Sequence, residues 1–201
     1  MKITDTIIGV ILSGGLFLGS ASCLDKSAVN DKQTTAGLNE PQPKAHQVKN
    51  NPFEALRDKA FAATPALLGL SLPAGQTVVY GIIMDWGMDG ATATTVSFRT
   101  GDASLYVSSG GGIIGGGQHQ SVNDAAKQWV ALAQTFLNKA TGTKTTPLPE
   151  KDAVKFYLLT NKGVYVGQEQ MKNFENNSSS WLDLFKEGNK VLTALREVSP
   201  D

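Results

Sequence analysis

The sequence is poor in the residues that cross-link a fold or hold a metal ion. Its 201 residues include one cysteine and two histidines. A lone cysteine has no partner for a disulfide within the chain. From residue 51 onward there is one histidine and no cysteine, so the residue types of a tetrahedral zinc site are too few. We therefore expect no metal site and no cofactor.

An excess of charge of one sign is also absent. Eighteen lysine and arginine residues balance eighteen aspartate and glutamate residues. Proteins that bind nucleic acid usually carry an excess of positive charge, so we expect no nucleic-acid partner. The composition, 41% hydrophobic and 18% charged, is typical of one globular domain accompanied by additional segments.

One long hydrophobic run lies near the N-terminus. Lys2 precedes an apolar run from Ile7 to Leu18, which the pair Gly14-Gly15 interrupts. A transmembrane helix needs about 20 consecutive apolar residues, so this run is too short to span a bilayer. A basic start, a short apolar core and small residues after it are typical of a secretory signal peptide. We predict that signal peptide over residues 1–22.

Small residues lead up to the lone cysteine in the stretch Ser20-Ala21-Ser22-Cys23. This stretch resembles the lipobox of bacterial lipoproteins, although Ser20 stands where that family usually has leucine or another aliphatic residue. The resemblance implies that Cys23 is lipidated and anchors the protein to a bacterial membrane, the outer membrane in a Gram-negative cell. Ordinary signal-peptide cleavage also fits, and that alternative gives a soluble periplasmic or secreted protein with a free thiol.

The segment that follows the cysteine has the composition of a linker. From Leu24 to Asn50 the chain has no aromatic residue and no apolar periodicity. Such a segment cannot bury enough apolar surface to offset the entropy lost on ordering. We predict a lipid-anchored disordered tether over residues 23–50, with an end-to-end distance of roughly 30 Å. His46 lies in this tether, where we expect it to be exposed.

Helix and strand patterns predict a single α+β domain over residues 51–201. Asn51 can cap a first helix that begins at Pro52, Ser121 can cap a second that Gly142 ends, and Ser180 can cap the last. Strand-like runs joined by tight turns pair antiparallel. We predict a mainly antiparallel five-stranded sheet with helices packed on it, in the order α-β-β-β-α-β-β-α, with strands at 77–86, 91–100, 103–109, 154–160 and 163–168.

This order resembles the topology of type III secretion chaperones and their relatives, over Pro52 to Val198. The resemblance lies in element order and includes no residue motif. It implies a small dimeric fold that binds other polypeptides. The predicted anchor, the tether and the scarcity of catalytic residues lead us to expect another envelope protein as partner, and the resemblance also implies a homodimer.

Aromatic residues and one polar stretch complete the picture of the domain. Trp86, Trp129 and Trp181 lie on predicted apolar faces, so we expect them in the core. The stretch from Gln168 to Trp181 is polar, and we predict a surface loop there.

Six glycines surround an isoleucine pair before the second helix. Gly110, Gly112 and Gly115 match the GxGxxG pattern, but the predicted cap lies six residues later, whereas a dinucleotide site needs glycines that open the helix. No Gly-Lys-Ser or Gly-Lys-Thr follows, which excludes a P-loop. Two interpretations remain: a structural corner in which the isoleucines form a short tucked strand, or an exposed loop that contacts a ligand, a partner or the membrane. The residues of this candidate loop are Gly110, Gly112, Ile113, Ile114, Gly115 and His119.

His119, the one histidine of the domain, is the candidate catalytic residue. A serine hydrolase would need a serine and an aspartate within reach of it, and no GxSxG turn occurs. Our leading hypothesis is a lipid-anchored envelope protein with a non-catalytic, partner-binding domain. The alternative is an envelope hydrolase or a small-ligand-binding domain that uses the loop from Gly110 to His119. The residues at strand ends that could converge on the histidine are Ser108, Ser109, Asp85 and Asp102.

Overall fold

A single sheet of seven antiparallel strands lies at the centre of the computed structural model, which describes residues 52–199. The predicted signal peptide, Cys23, the tether and Asn51 lie outside the described residues. Within residues 52–199, no helix is both long and apolar enough to span a membrane.

Most strands that are consecutive in the chain are also neighbours in the sheet. The spatial order is β4-β3-β2-β1-β6-β7-β5, so the hairpin of β6 and β7 lies between β1 and β5. Every pairing is antiparallel. The strands are β1 (Val79–Gly87), β2 (Thr92–Phe98), β3 (Ala103–Val107), β4 (Gly112–Ile113), β5 (Thr141–Thr143), β6 (Ala153–Thr160) and β7 (Gly163–Gln170).

Four α-helices occur within the described residues, and two of them cover one side of the sheet. They are α1 (Pro52–Ala62), α2 (Gln120–Thr135), α3 (Met171–Glu175) and α4 (Leu182–Glu197). The side that we call the helix face packs against α2 and α4: Trp86 lies edge-on to Phe185, with ring centroids 6.2 Å apart. Successive strand residues point to opposite faces, so Ile83 and Asp85 lie on the other side, where α1 packs. We call that side the α1 face.

The predicted class, an α+β fold with an antiparallel sheet, is confirmed, but the predicted strand number is wrong. The sheet has seven strands rather than five, and the order of elements is α-β-β-β-β-α-β-β-β-α-α. The five predicted strands are β1, β2, β3, β6 and β7. The two that were not predicted contain two and three residues, too few for an alternating pattern to be recognised.

Helix boundaries also differ from the prediction. Helix α2 begins at Gln120 with His119 as its N-cap residue, rather than after a Ser121 cap, and Gly142 lies in β5. Helix α4 begins at Leu182, after Trp181, and not after a Ser180 cap. The nearby hydroxyl that serves the backbone is that of Ser179, which accepts the N–H of Trp181 at 3.0 Å.

The stretch from Gln168 to Trp181 is not simply a surface loop, because it contains the end of β7 and the short helix α3. Phe174 of α3 is fully buried and stacks on Phe185, with centroids 4.3 Å apart. The core positions predicted for Trp86, Trp129 and Trp181 are confirmed, since all three side chains are buried.

Candidate functional site

The glycine-rich segment forms a hairpin followed by a sharp corner. The N–H of Gly110 donates to the carbonyl of Val107 at 2.9 Å, which closes the turn between β3 and β4. Gly115 has a left-handed backbone, with φ of 74°, that glycine adopts at little cost. Its N–H donates to the hydroxyl of Ser104 at 3.2 Å. We call residues 108–119 the glycine corner.

Gly116 packs this corner against the helix face. A Cβ atom at this buried position would overlap the side chain of Leu195 in α4 and lie 3.1 Å from Val122 in α2. A short 3₁₀ turn, Gly116–Gln118, then leads to α2. The glycines therefore make the turn, the edge strand and the corner, and none of them opens α2.

One isoleucine of the pair lies in a short strand and the other is exposed, so each of the two predicted interpretations applies to one of them. Ile113 belongs to β4, pairs with Leu105 and is half-buried. Ile114 follows the strand and is 65% exposed. It lies between a paired strand and the bonded Gly115, so the backbone on both sides of this apolar side chain is held in place.

The structure does not bring the residues proposed for a hydrolase together as a triad. His119 is the last residue of the glycine corner and is exposed, and Asp102 lies beside the neighbouring Gly117. Ser108 lies at the other end of β3, and five strand residues span roughly 17 Å. Its hydroxyl accepts the N–H of Thr92 at 2.7 Å. Asp85 lies inside β1 on the α1 face. These positions do not form a Ser-His-Asp arrangement with Ser108.

Asp85 is the centre of a different cluster. Its carboxylate is fully buried, with 0% of the residue exposed. The Nε and Nη2 atoms of Arg57 donate to Oδ2 at 3.1 and 2.6 Å. The hydroxyl of Thr94, its direct cross-strand neighbour, donates to Oδ1 at 2.5 Å. The carboxylate is thus paired and hydrogen-bonded, as a charge in a protein interior must be.

The sequence pattern predicts Asp85 at a strand end and does not identify Arg57 as a site residue. The sequence nevertheless contains a pattern that indicates a buried Arg57, because this residue shares one face of α1 with Phe53 and Ala60, at spacings of four and three residues. A cation on an apolar helical stripe and an anion inside an apolar strand are both unusual core residues. Two such residues of opposite charge predict a buried ion pair.

A loop crosses the α1 face above this cluster. We call residues 144–152, which connect β5 to β6, the strap. Nη2 of Arg57 donates to the carbonyl of Thr146 at 2.8 Å. The phenol of Tyr157 donates to the carbonyl of Pro147 at 2.6 Å. Nζ of Lys155 donates to the carbonyls of Pro147 and Leu148 at 3.1 and 3.2 Å.

The environment of Tyr157 keeps its phenol protonated. Burial raises its pKa to about 12, and the negative charge of Asp85 adds to the rise, while Arg57 opposes it. A protonated phenol can donate to the strap at any physiological pH. The donors and acceptors of this cluster therefore form hydrogen bonds with one another and with the strap. The cluster holds the strap in position.

The described residues contain no group of three or more histidine, cysteine, aspartate or glutamate side chains that could hold a metal ion. No family model, curated protein or solved structure matches the chain. The resemblances to lipoproteins and to secretion chaperones stay predictions.

Proposed function

We propose that the chain is a lipid-anchored protein of a bacterial envelope, whose α+β domain binds another envelope protein and catalyses no reaction. The anchor is supported by the order of features in the sequence: a signal peptide, small residues, Cys23 and a polar tether. A homodimer is a second form that such binding can take.

The observation that supports partner binding is Ile114. An apolar side chain that is 65% exposed sits on a backbone fixed by β4 and by the bond from Gly115. A contact residue that is already ordered loses little entropy on binding, so more of its burial energy contributes to affinity. Ile114 therefore has the properties of an anchor residue for a partner pocket.

The anchor is tested by metabolic labelling with a fatty-acid analogue. The native chain should take up label, and Cys23→Ser should lose it while the protein is still exported. Label that persists in Cys23→Ser would rule out this anchor.

Partner binding is tested by placing a photo-crosslinking amino acid at Ile114 in living cells. The matched control is Leu67, which is 78% exposed in the connection after α1. We expect a discrete crosslinked protein from position 114 and none from position 67. A crosslink to a second copy of the chain would identify the homodimer. Equal crosslinking at both positions would contradict a specific surface at the glycine corner.

Two further variants separate partner binding from the small-ligand or hydrolase alternative, which would use the same corner. With the crosslinker moved to the neighbouring Gln118, Ile114→Ser should abolish the crosslink, because the apolar anchor is lost, and His119→Ala should retain it. The alternative predicts the reverse in cells that lack the native protein: the Ile114→Ser variant should restore its cellular function, and the His119→Ala variant should not.

A further inference from the structure

Strand β4 forms one edge of the sheet. Its residue Ile113 lies opposite Leu105 of β3. Two positions away, the N–H of Val107 donates to the carbonyl of Gly111 at 3.2 Å. Hydrogen-bonded and non-bonded pairs alternate along antiparallel strands, so Leu105 and Ile113 exchange hydrogen bonds with each other. The N–H and the carbonyl of Gly112 therefore point away from β3, beyond the edge of the sheet.

The main chain of Ile114 continues this pattern. Both of its neighbours face β3, because Ile113 pairs with that strand and the N–H of Gly115 donates to the hydroxyl of Ser104. Successive residues of an extended chain turn their polar groups to alternate sides, so the N–H and the carbonyl of Ile114 point outward with those of Gly112. An edge with outward donors and acceptors can pair with a strand of another molecule.

The glycine corner has no charged residue that would oppose such pairing. Between Asp102 and Asp124 the sequence contains no lysine, arginine, aspartate or glutamate. Natural edge strands are commonly protected by charged residues, lysine above all. The opposite edge, β5, has this protection, because Lys139 lies two residues before it and the exposed Lys144 directly follows it. Strand β4 is therefore the edge at which charge does not prevent pairing.

A second copy of β4 fits this edge because the edge is complementary to itself. In an antiparallel pair centred on Ile113, Gly112 of each copy lies opposite Ile114 of the other, and their outward polar groups meet. The exposed side chain of Ile114 then covers a residue that has no side chain. The next pair brings Gly111 opposite Gly115, and a Cβ atom added at either glycine would have nothing within 4 Å. No side chain obstructs the approach.

We propose that two copies of the chain form a dimer through β4, with Ile113 on the two-fold axis and the two sheets continuous across it. One N–H and one carbonyl from Gly112 and from Ile114 of each copy give about four main-chain hydrogen bonds. An interface of this length belongs to the small, transient class, so the dimer is weak and reversible. The dimer rests on the proposed function, in that both assign binding to Ile114, and it names a second copy as the occupant.

The register is tested by disulfide trapping in the full chain carrying Cys23→Ser, in which an introduced cysteine is the only thiol. In Ile113→Cys the two thiols meet across the axis at a non-bonded position, where Cα atoms are about 4.5 Å apart, within the range of a disulfide. The controls are Ile114→Cys, whose Cα atoms would be roughly 8–9 Å apart, and Gly142→Cys in β5. We expect position 113 to form covalent dimer at least about tenfold faster than position 114 or 142.

The main-chain hydrogen bonds are tested by proline. Ile114→Pro keeps an apolar residue and removes the outward N–H, and Ile114 has a negative φ, as proline does. Ile114→Val is the matched control. Combined with Ile113→Cys, the proline should reduce trapping about tenfold, and the valine should leave it within about twofold. Sedimentation of chains that retain Ile113 should show a concentration-dependent dimer with isoleucine or valine at position 114 and a monomer with proline.

Several results would overturn the proposal. Equal trapping at positions 113, 114 and 142 would indicate random collision, and a native chain that sediments as a monomer at every concentration would exclude self-pairing. Failure of the dimer is distinct from failure of the proposed function. A monomeric purified chain whose Ile114 position crosslinks to a different envelope protein in cells would refute the dimer and support partner binding. Trapping at position 113 with crosslinks from position 114 to the second copy alone would support the dimer and refute binding of another protein at this edge.

Discussion

Replacement of Arg57 by methionine tests how the buried cluster contributes to stability. Methionine retains much of the length and apolar volume of arginine but removes the positive charge. Asp85, with no exposed surface, then loses two charge-assisted hydrogen bonds, and the carbonyl of Thr146 loses its donor. A buried charge left without its partner costs about 3–5 kcal/mol, a large part of the roughly 5–15 kcal/mol that stabilises a typical domain.

The cluster as a whole should contribute far less than this single change suggests. The triple variant Arg57→Met, Asp85→Val and Thr94→Val removes both charges and the hydroxyl that donates to the carboxylate. Taking two charges out of water is costly, so well-packed apolar residues often replace a buried ion pair at little net cost. We expect the triple variant to lie within about 1–2 kcal/mol of the native chain.

Urea unfolding followed by tryptophan fluorescence measures both quantities, because Trp86, Trp129 and Trp181 are all buried. Arg57→Met should lower the unfolding midpoint by about 2 M, given a typical urea slope. The triple variant should recover most of that loss. The unfolding free energies of Arg57→Met, Asp85→Val and Thr94→Val can also be measured singly. If the losses of the three single variants add up to the loss of the triple variant, these side chains do not act as one unit.

Three other changes should alter stability in stated directions. Thr95→Val should stabilise by about 1 kcal/mol in urea unfolding, since its buried hydroxyl has no hydrogen-bond partner; Thr94→Val is the matched control and should destabilise. Folding stability should hold below pH 10 and fall as the pH rises from 10.0 towards about 12, because the unfolded chain releases the Tyr157 proton before the folded one. Tyr157→Phe should flatten that part of the pH profile, and an unchanged slope would contradict the assignment. Gly167→Ala should cost about 1–3 kcal/mol, because a Cβ there overlaps the indole of Trp181; a midpoint equal to that of the native chain would contradict this packing.

Long elements were predictable from local patterns, and short ones were not. The run that forms β1 is apolar on both faces, and the stripes of α2 and α4 repeat at helical spacing, so each carries enough residues to reveal its period. In contrast, β4 consists of Gly112 and Ile113 and exists because the hairpin turn brings it beside β3. Helix α3 was hidden in a polar stretch, where Phe174 is the main sign of a buried turn.

Local sequence patterns also fail to predict contacts between residues of the candidate site that are distant in the chain. The sequence identified Ile114 and the glycines, but whether the isoleucine is buried depends on where the corner meets α2 and α4. The sequence also identifies Asp85 as a candidate, yet its partners Arg57 and Thr94 come from different elements. Thr94 is found from the register of β1 and β2, and Arg57 from the docking of α1, neither of which a local pattern specifies.

The position of the β6–β7 hairpin has a consequence for the order in which the sheet assembles. Strands β1 and β5 flank the hairpin in the sheet but precede it in the chain. Until the hairpin has docked, both strands expose unpaired main-chain groups that can recruit strands of other molecules. A folding intermediate in which β1 and β5 form before the hairpin docks should therefore be prone to aggregation.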